Sequence, residues 1–482
     1  MAIQRLPLVG TVTERKAVTG NQSEQGQDQR FVNCFPENIG TPQGQGMTED
    51  LYLVKRPGLA LHNNDNPTSK TARGIFSWNG NLYTVWGNKV HKNGTALSGT
   101  LGLSTGRVYF DETGGASSKL LVQEPHASTA RLTSITSGDV FTDLNTGDAD
   151  LPDDQVPGVV QIDTYTTVMT SAGNIHNSSP GIETTWASTD FLNAEIKGDK
   201  GIRLARHVNY IVALGAGTIE FFFDNANPTG SPFTRLEGTV SLIGSPSGNT
   251  LVNIENQLLF VAENSNGGRY VAQLKGFTPI SISNKTVEES LDAEQENITD
   301  AYAYSVQIMG HSFYVLTLPT TAKRTWVYDL TEGMWHEWTH NSTYFVGFDS
   351  CIHNGDVLIQ DRNNGIIYKL DPEVFRDYNA IPIAVMFQTK KFDGGVHHNK
   401  FLYRLTVIGD QSAGNSTLSL RYTDDDYQTF SAQRDVDLGS KDPHLTRLGY
   451  FKKRAFRGTH IANLPFRIQA LELNVRQGHY GI

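Results

Sequence analysis

The sequence predicts an all-β protein: a β-propeller joined to a sandwich-like platform built from the N-terminal arm and the C-terminal region. Three observations predict it. The 482 residues include 46 Gly, and only 19% are charged, a composition suited to many tight turns and short strands. A loose unit of β-rich run, Gly or Asn turn and second β-rich run recurs at intervals of about 35 to 55 residues, the length of one four-stranded blade. Helical periodicity is nearly absent.

The units read IFSWNGNLYTVWGNKVHKNG around Gly80, RVYFDETGGASSKLLVQEP around Gly114, VVQIDTYTTVMTSAGNIHN around Tyr165 and HVNYIVALGAGTIEFFFDN around Gly215. They continue as VNIENQLLFVAENSNGGRYVAQL around Asn256, VQIMGHSFYVLTLP around Gly310 and IHNGDVLIQDRNNGIIYKLD around Gly355. Inside them the side chains alternate with the two-residue period of a strand, as Leu82, Thr84 and Trp86 do against Tyr83 and Val85. The exception is 286–297, where Thr286 and Glu289 form a capping box ahead of a Glu-rich stretch and predict one short helix.

The flanks differ from the repeats. Residues 1–59 are rich in Gln, Gly and Asn, with Pro7, Pro36, Pro42 and Pro57 interrupting any long element, and read as an extended arm that needs a partner surface. Residues 60–375 form the expected propeller. Beyond Pro372 the repeat stops, and 381–392, 401–409, 418–422 and 466–475 read as strands of a platform domain spanning 376–482.

Composition also restricts function. The formal net charge is -10, which disfavours a protein that grips nucleic acid by broad phosphate neutralisation but suits one that lets DNA slide past. No apolar run is long enough for a signal peptide or a membrane span. Cys34 and Cys351 belong to no CxxC pair and are expected to be buried thiols.

Chemical motifs are few. His336-Glu337-Trp338-Thr339-His340 satisfies the H-E-x-x-H pattern, which binds zinc only on a helix. Here TWVYDLTEGMWHEWTH reads as two aromatic strands around a Glu332-Gly333 turn, and on a strand the two histidines stand about 13 Å apart, so no metal is expected. Thr423-Asp424-Asp425-Asp426-Tyr427-Gln428-Thr429-Phe430 lacks the turning Gly of a calcium loop and looks like an Asp-box hairpin. His397-His398 reads as a solvated loop. Gly215-Ala216-Gly217 precedes a strand, so it is no dinucleotide fingerprint. A basic segment, Arg447, Lys452, Lys453, Arg454 and Arg457 with Phe451 and Phe456 between, is either a charged strand edge that discourages aggregation or a docking patch for an acidic partner or phosphate.

The ends of the chain then show a family likeness. IQRLPL (3–8), QRFVNCFPEN (29–38) and VKRPGL (54–59) resemble the N-terminal arm of the tail nozzle or hub proteins of short-tailed bacteriophages, also called packaged-DNA stabilisation proteins or tail accessory factors. GTIEFFFDNANPTGSPF (217–233), WVYDLTEGMWHEW (326–338), LRYTDDDYQTF (420–430) and TRLGYFKKRAFRG (446–458) are similar to later signatures of that family, in the same order. Cys34-Phe35 departs from the aromatic pair expected there, and Tyr427 replaces the usual turn Gly.

The resemblance implies a structural virion protein without catalytic residues, metal or other cofactor. It implies a homo-hexameric tube that docks under the head-to-tail adaptor ring, retains packaged double-stranded DNA and conducts it during ejection without reading its sequence. Tailspike or tail fibre proteins would attach outside. The location would be the virion tail, assembled in the host bacterial cytoplasm, with Arg447, Lys452, Lys453, Arg454 and Arg457 at the adaptor or subunit interface. The other reading is a propeller glycoside hydrolase or lyase acting on host surface polysaccharide, with carboxylates brought together at the channel mouth.

Overall fold

In the computed structural model, residues 2–9, 29–38, 51–64, 71–115, 117–194 and 196–478 are described. The Gln- and Gly-rich stretches of the arm at 10–28 and 39–50, Pro42 among them, lie outside the described residues.

Among the described residues six four-stranded antiparallel sheets stand free, and a seventh four-strand meander runs on into the platform. In chain order the blades occupy 72–96, 109–143, 160–193, 201–235, 252–281, 302–340 and 347–371, and each recurring sequence unit falls in one of them. The turn between the first two strands repeats. Asn79-Gly80 joins Trp78 to its register partner Asn81 with φ of 47° and 71°, and Asn354-Gly355 joins His353 to Asp356 with φ of 52° and 85°. Two consecutive positive φ values define the hairpin turn whose twist matches the strands, and Asn-Gly tolerates them best. Glu255-Asn256 adopts the same signs, at 52° and 60°, without the favoured residues.

Among the described residues seven apolar seams hold the blades together, one per pair of neighbours. The seam between the last and first blades is built from Ala72, Ile75, Leu82 and Trp86 against Leu358 and Ile367. Others pair Val85 and Val90 with Leu120 and Val122, or Leu259 and Val261 with Leu316 and Trp326. A seam at every junction makes a closed ring. Its last blade takes its outermost strand from the residues that lead from the arm into the ring, across the expected boundary at 59/60: Gly58–Asn64 runs antiparallel to Ile366–Asp371.

The platform is a two-sheet sandwich. Its first sheet orders Cys34–Asn38, Leu51–Lys55, Arg467–Gln477, Lys400–Gly409 and His444–Thr446, with Ala2–Pro7 paired to Arg467–Gln477 and Tyr450–Phe451 to Lys400–Gly409. Pro36 is tolerated because its strand ends that order, where an N–H is dispensable. The second sheet contains Arg30–Val32, Val385–Gln388, Ala455–His460, Thr417–Thr423 and Arg434–Asp437. Phe31, Leu53, Phe387, Leu405, Leu420, Leu471 and Leu473 fill the space between the sheets. Arg30–Val32 is the bridge: Val32 pairs in parallel with Glu337 of the sixth blade, while Arg30, Phe31 and Val32 pair with Gln388, Phe387 and Met386.

The helix differs from its expected start. It spans Lys285–Glu294, and Asn284 caps it by accepting from the Val287 N–H. Asn284 is extended, so it and not Thr286 occupies the cap; Glu289 pairs with Lys285 one turn away instead of reaching back. A 3-10 segment follows at Gln295–Asp300.

Leu59, fully enclosed in the closing strand, is expected to matter as a core residue although it lies near the N-terminus. Leu59→Ala should lower unfolding free energy by about 2 to 5 kcal/mol, measured by urea titration. An unchanged midpoint would show that ring closure does not depend on that strand.

Candidate functional site

The H-E-x-x-H residues lie on the strand Met334–His340, opposite Arg324–Asp329, as the hairpin pattern predicts. Among the described residues no group of three or more His, Cys, Asp or Glu side chains is placed to hold a metal ion. Alternate side chains of this strand do different work. His336 points into the core among Phe35, Phe313 and Trp338, and neither ring nitrogen has a hydrogen-bond partner. Glu337 accepts two bonds from Arg30, at 2.6 and 2.9 Å. Thr339 receives the Asn33 amide at 2.7 Å, and His340 Nδ1 meets Asp377 Oδ2 at 2.9 Å.

These contacts belong to a buried clasp centred on Arg56. Its guanidinium donates to both oxygens of Asp377 at 2.9 and 2.7 Å, to Asn33 Oδ1 at 2.9 Å, and to the carbonyls of Pro57 and Thr339. The ring of Phe345 lies 5.0 Å from its carbon. Burial pushes the Asp377 carboxyl up, but Arg56 and His340 outweigh it and hold the group below its ordinary value. The clasp therefore ties together the arm, the sixth blade and the segment leaving the propeller.

The basic segment is not a uniform patch. Arg454 is buried, with 2% of its side chain exposed, and donates to both Asp424 oxygens at 2.7 and 2.6 Å and to the Leu448 carbonyl at 2.6 Å. It lies 3.8 Å from the Tyr422 ring centre and 4.6 Å from that of Phe451, so one interleaved ring and one from the neighbouring strand flank a structural cation. Arg457 is half-buried, stacks 3.7 Å from Phe430 and donates to Gln388. Lys453 is exposed and pairs at 3.7 Å with Asp426, which also binds Lys391. Arg447 and Lys452 are exposed. The acidic triplet is thus the partner of the basic segment. Asp425 closes the turn by accepting from the Thr429 hydroxyl and N–H and from the Thr423 hydroxyl, which holds its carboxyl down at about 2. Asp426 and Tyr427 adopt φ of 59° and 68°, so Tyr427 takes up the left-handed turn without the Gly.

A third polar cluster, not anticipated from sequence, crosses the propeller axis. Arg107 lies just before the second blade and reaches the Asn249 carbonyl at 3.1 Å, the Ala303 carbonyl at 2.9 Å and Asp349 of the seventh blade at 2.9 Å. Arg203 of the fourth blade stacks 3.9 Å from the Tyr109 ring, and burial lowers it to about 10. Asp111 is pushed up to about 6 by burial, and its oxygens take the N–H groups of Gln161 at 2.7 Å and Glu112 at 2.9 Å. That carboxylate staples two blades. Isolated charges inside strand patterns carried no signal of these meetings.

Of the remaining motifs, Cys34 is buried and donates its thiol to the Met386 carbonyl, with burial pushing its pKa up, while Cys351 is half-buried. His397 and His398 lie in a loop, and Gly217 leads into the strand Ile219–Asp224. Among the described residues no helix is long and apolar enough to cross a membrane.

The fold and these clusters define a β-propeller whose polar groups brace a framework. Residues 17–375 match the protein family described as Bacteriophage P22 Gp10, beta-propeller, the phage stabilisation family. The chain belongs to that family and is a bacteriophage tail stabilisation protein. No curated protein sequence matches it. Solved structures similar to it include BamB from Moraxella catarrhalis, at 12% identity and TM-score 0.38, covering 71% of this chain and 99% of that one. The extracellular domain of the one-component system BT4673 from B. thetaiotaomicron aligns at 11% identity and TM-score 0.42, covering 90% of this chain and 62% of that one. The N-terminal domain of Nup159 aligns at 10% identity and TM-score 0.38, covering 71% and 98%.

A histidine ordinarily titrates near 6.5, but burial, with His311 adding to it, holds His336 at about 3. The folded state thus refuses a proton that the unfolded chain accepts, so this residue subtracts stability as pH falls from 6.5 toward 3, by up to about 5 kcal/mol in total. His336→Phe should reduce the stability lost between pH 7.5 and 5 by roughly 2 kcal/mol; His460, held at about 4, keeps part of the slope. Equal pH slopes in the two proteins would refute the assignment. Arg454→Glu should cost at least about 3 kcal/mol, because it leaves Asp424 facing a like charge, whereas Lys452→Glu should leave the thermal midpoint within a few degrees. Calorimetry of both variants decides it.

Proposed function

We propose that the chain is the tail nozzle or hub of a short-tailed bacteriophage: a homo-hexamer that docks under the head-to-tail adaptor ring, retains packaged DNA and conducts it at ejection. Tailspike or fibre proteins would attach to its outer surface. The observation that carries the reading is the family match over 17–375.

The axis of a single propeller is crossed by Arg107 on its way to Asp349, so one chain offers no passage wide enough for a duplex. A lumen would have to lie between copies arranged in a ring. Six copies at -10 each give the ring a formal charge of about -60, and an acidic wall repels phosphates and lets duplex DNA move without adhering. The Arg56 clasp, the Asp424–Arg454 pair and the axial cluster direct their charges to internal ion pairs, hydrogen bonds and ring contacts, as a structural part requires. Assembly in the host cytoplasm and residence in the virion tail follow from the role.

Electron microscopy of DNA-filled, adaptor-bearing heads with and without the purified chain tests the proposal. The expected result is a six-fold tube at the tail vertex and packaged DNA that becomes nuclease-resistant when the chain is added. Chains that stay free, with DNA equally accessible in both samples, would sink it.

A further inference from the structure

The outward face of the platform's first sheet carries a cluster of exposed rings beside two exposed members of the basic segment, Arg447 and Lys452. Register places its members together. Tyr450 pairs with Phe401, and Phe401 with Arg476, while Arg404 and Ile3 both pair with Asn474 two residues before it. Residues opposite each other, or two apart on one strand, share a face; the alternate positions Leu402 and Val475 are buried. Tyr403 stands at the register shift between Leu402 and Arg404.

Ile3 is 68% exposed, Tyr450 65%, Phe401 46% and Tyr403 41%. Among the described residues the exposed aromatic side chains are these three and Phe191, so three of four fall on one sheet face. Phe401 and Tyr450 lie 6.0 Å apart at 55°. Charge is uneven too. Arg404 is neutralised by Asp442, leaving exposed Arg5, Arg476, Arg447 and Lys452 on or beside the face against Glu472, an excess of three positive charges on a chain of net charge -10.

We propose that this face docks a protein surface with an apolar centre and a carboxylate rim. Tyr, Phe and Arg at the middle of a face are the side chains that carry binding energy at protein interfaces. Charge complementarity selects the partner: an acidic surface is attracted, whereas a second copy applied face to face would set like charges opposite. Tilted rings packed against each other are also poor platforms for stacked bases. The inference rests on the tail reading above for its probe.

The probe is an adaptor-bearing head from particles lacking this chain, both DNA-filled and emptied. Wild-type chain, Phe401→Ser with Tyr450→Ser, Arg476→Glu with Lys452→Glu, and a control with Leu61→Ser and Ile352→Ser on the propeller are compared. The expected result is at least about tenfold weaker binding for both face variants, unchanged binding for the control, equal binding to filled and emptied heads, and thermal midpoints within a few degrees of wild type. Face variants that bind like wild type, or binding that needs the DNA, would overturn the inference alone. Self-association of the wild type that the face variants abolish would overturn it in favour of a second copy. Wild-type chain that binds neither head would overturn the tail reading and this inference with it.

Discussion

The architecture depends on a buried ion pair between two segments that lie 321 residues apart, Arg56 and Asp377. A buried pair is weak evidence for stability in itself, since desolvation offsets much of the attraction. Its value here is geometric. The guanidinium also bonds Asn33, Pro57 and Thr339, so the arm, the sixth blade and the exit from the propeller meet in one arrangement. Two residues later the chain enters Gly58–Asn64, the strand that completes the last blade. Lys55, next to the clasp, is buried and held at about 8 by burial and by the Arg56 charge. The chain tolerates that cost where its arm is pinned.

Fixing that point fixes the rest. Arg30–Val32 lies between the sixth blade and Val385–Gln388, so one hydrogen-bonded sheet passes from the propeller into the platform. A propeller attached by a linker could swing; a propeller that shares a sheet with its platform cannot do so without breaking the ladder and the Arg30–Glu337 pair. Seven apolar seams stiffen the ring from between the blades, and Arg107 braces it across the axis. The result is a body in which strain applied at the platform reaches the blades through bonded structure.

What could be read from sequence follows from range. Strand alternation and Asn-Gly turns act within a few residues, so the blades were legible, including Asn79-Gly80 and Asn354-Gly355. The H-E-x-x-H motif was rightly placed on a hairpin by its own neighbours. Its employment was not legible, because the partners of Glu337, Thr339 and His340 are Arg30, Asn33 and Asp377, brought in by tertiary closure. The basic segment shows the same limit. Its run of charge resembled a surface patch, but Asp424, thirty residues earlier, takes Arg454 inside, and Arg454 stacks on Phe451 and on Tyr422, a ring outside the segment. The outward aromatic face was hidden for the same reason. Ile3, Phe401 and Tyr450 are distant in sequence and become neighbours only through strand register.

These constraints give the molecule a polarity suited to assembly. Opposite charges are consumed internally at the clasp, the axis and the Asp424 turn, so they add little to the outer field. Among the described residues the exposed acidic groups outnumber the exposed basic ones away from the platform's outward sheet, whereas on that sheet cationic groups surround exposed rings. A body with one cationic, aromatic end and an acidic remainder meets an acidic partner in one orientation and repels a duplex elsewhere. On the proposed reading that asymmetry does the sorting that a tail part needs: the platform end is held, and the walls past which DNA moves hold nothing. Neither requirement involves bond making or breaking, so the polar side chains of this fold are free to serve as braces.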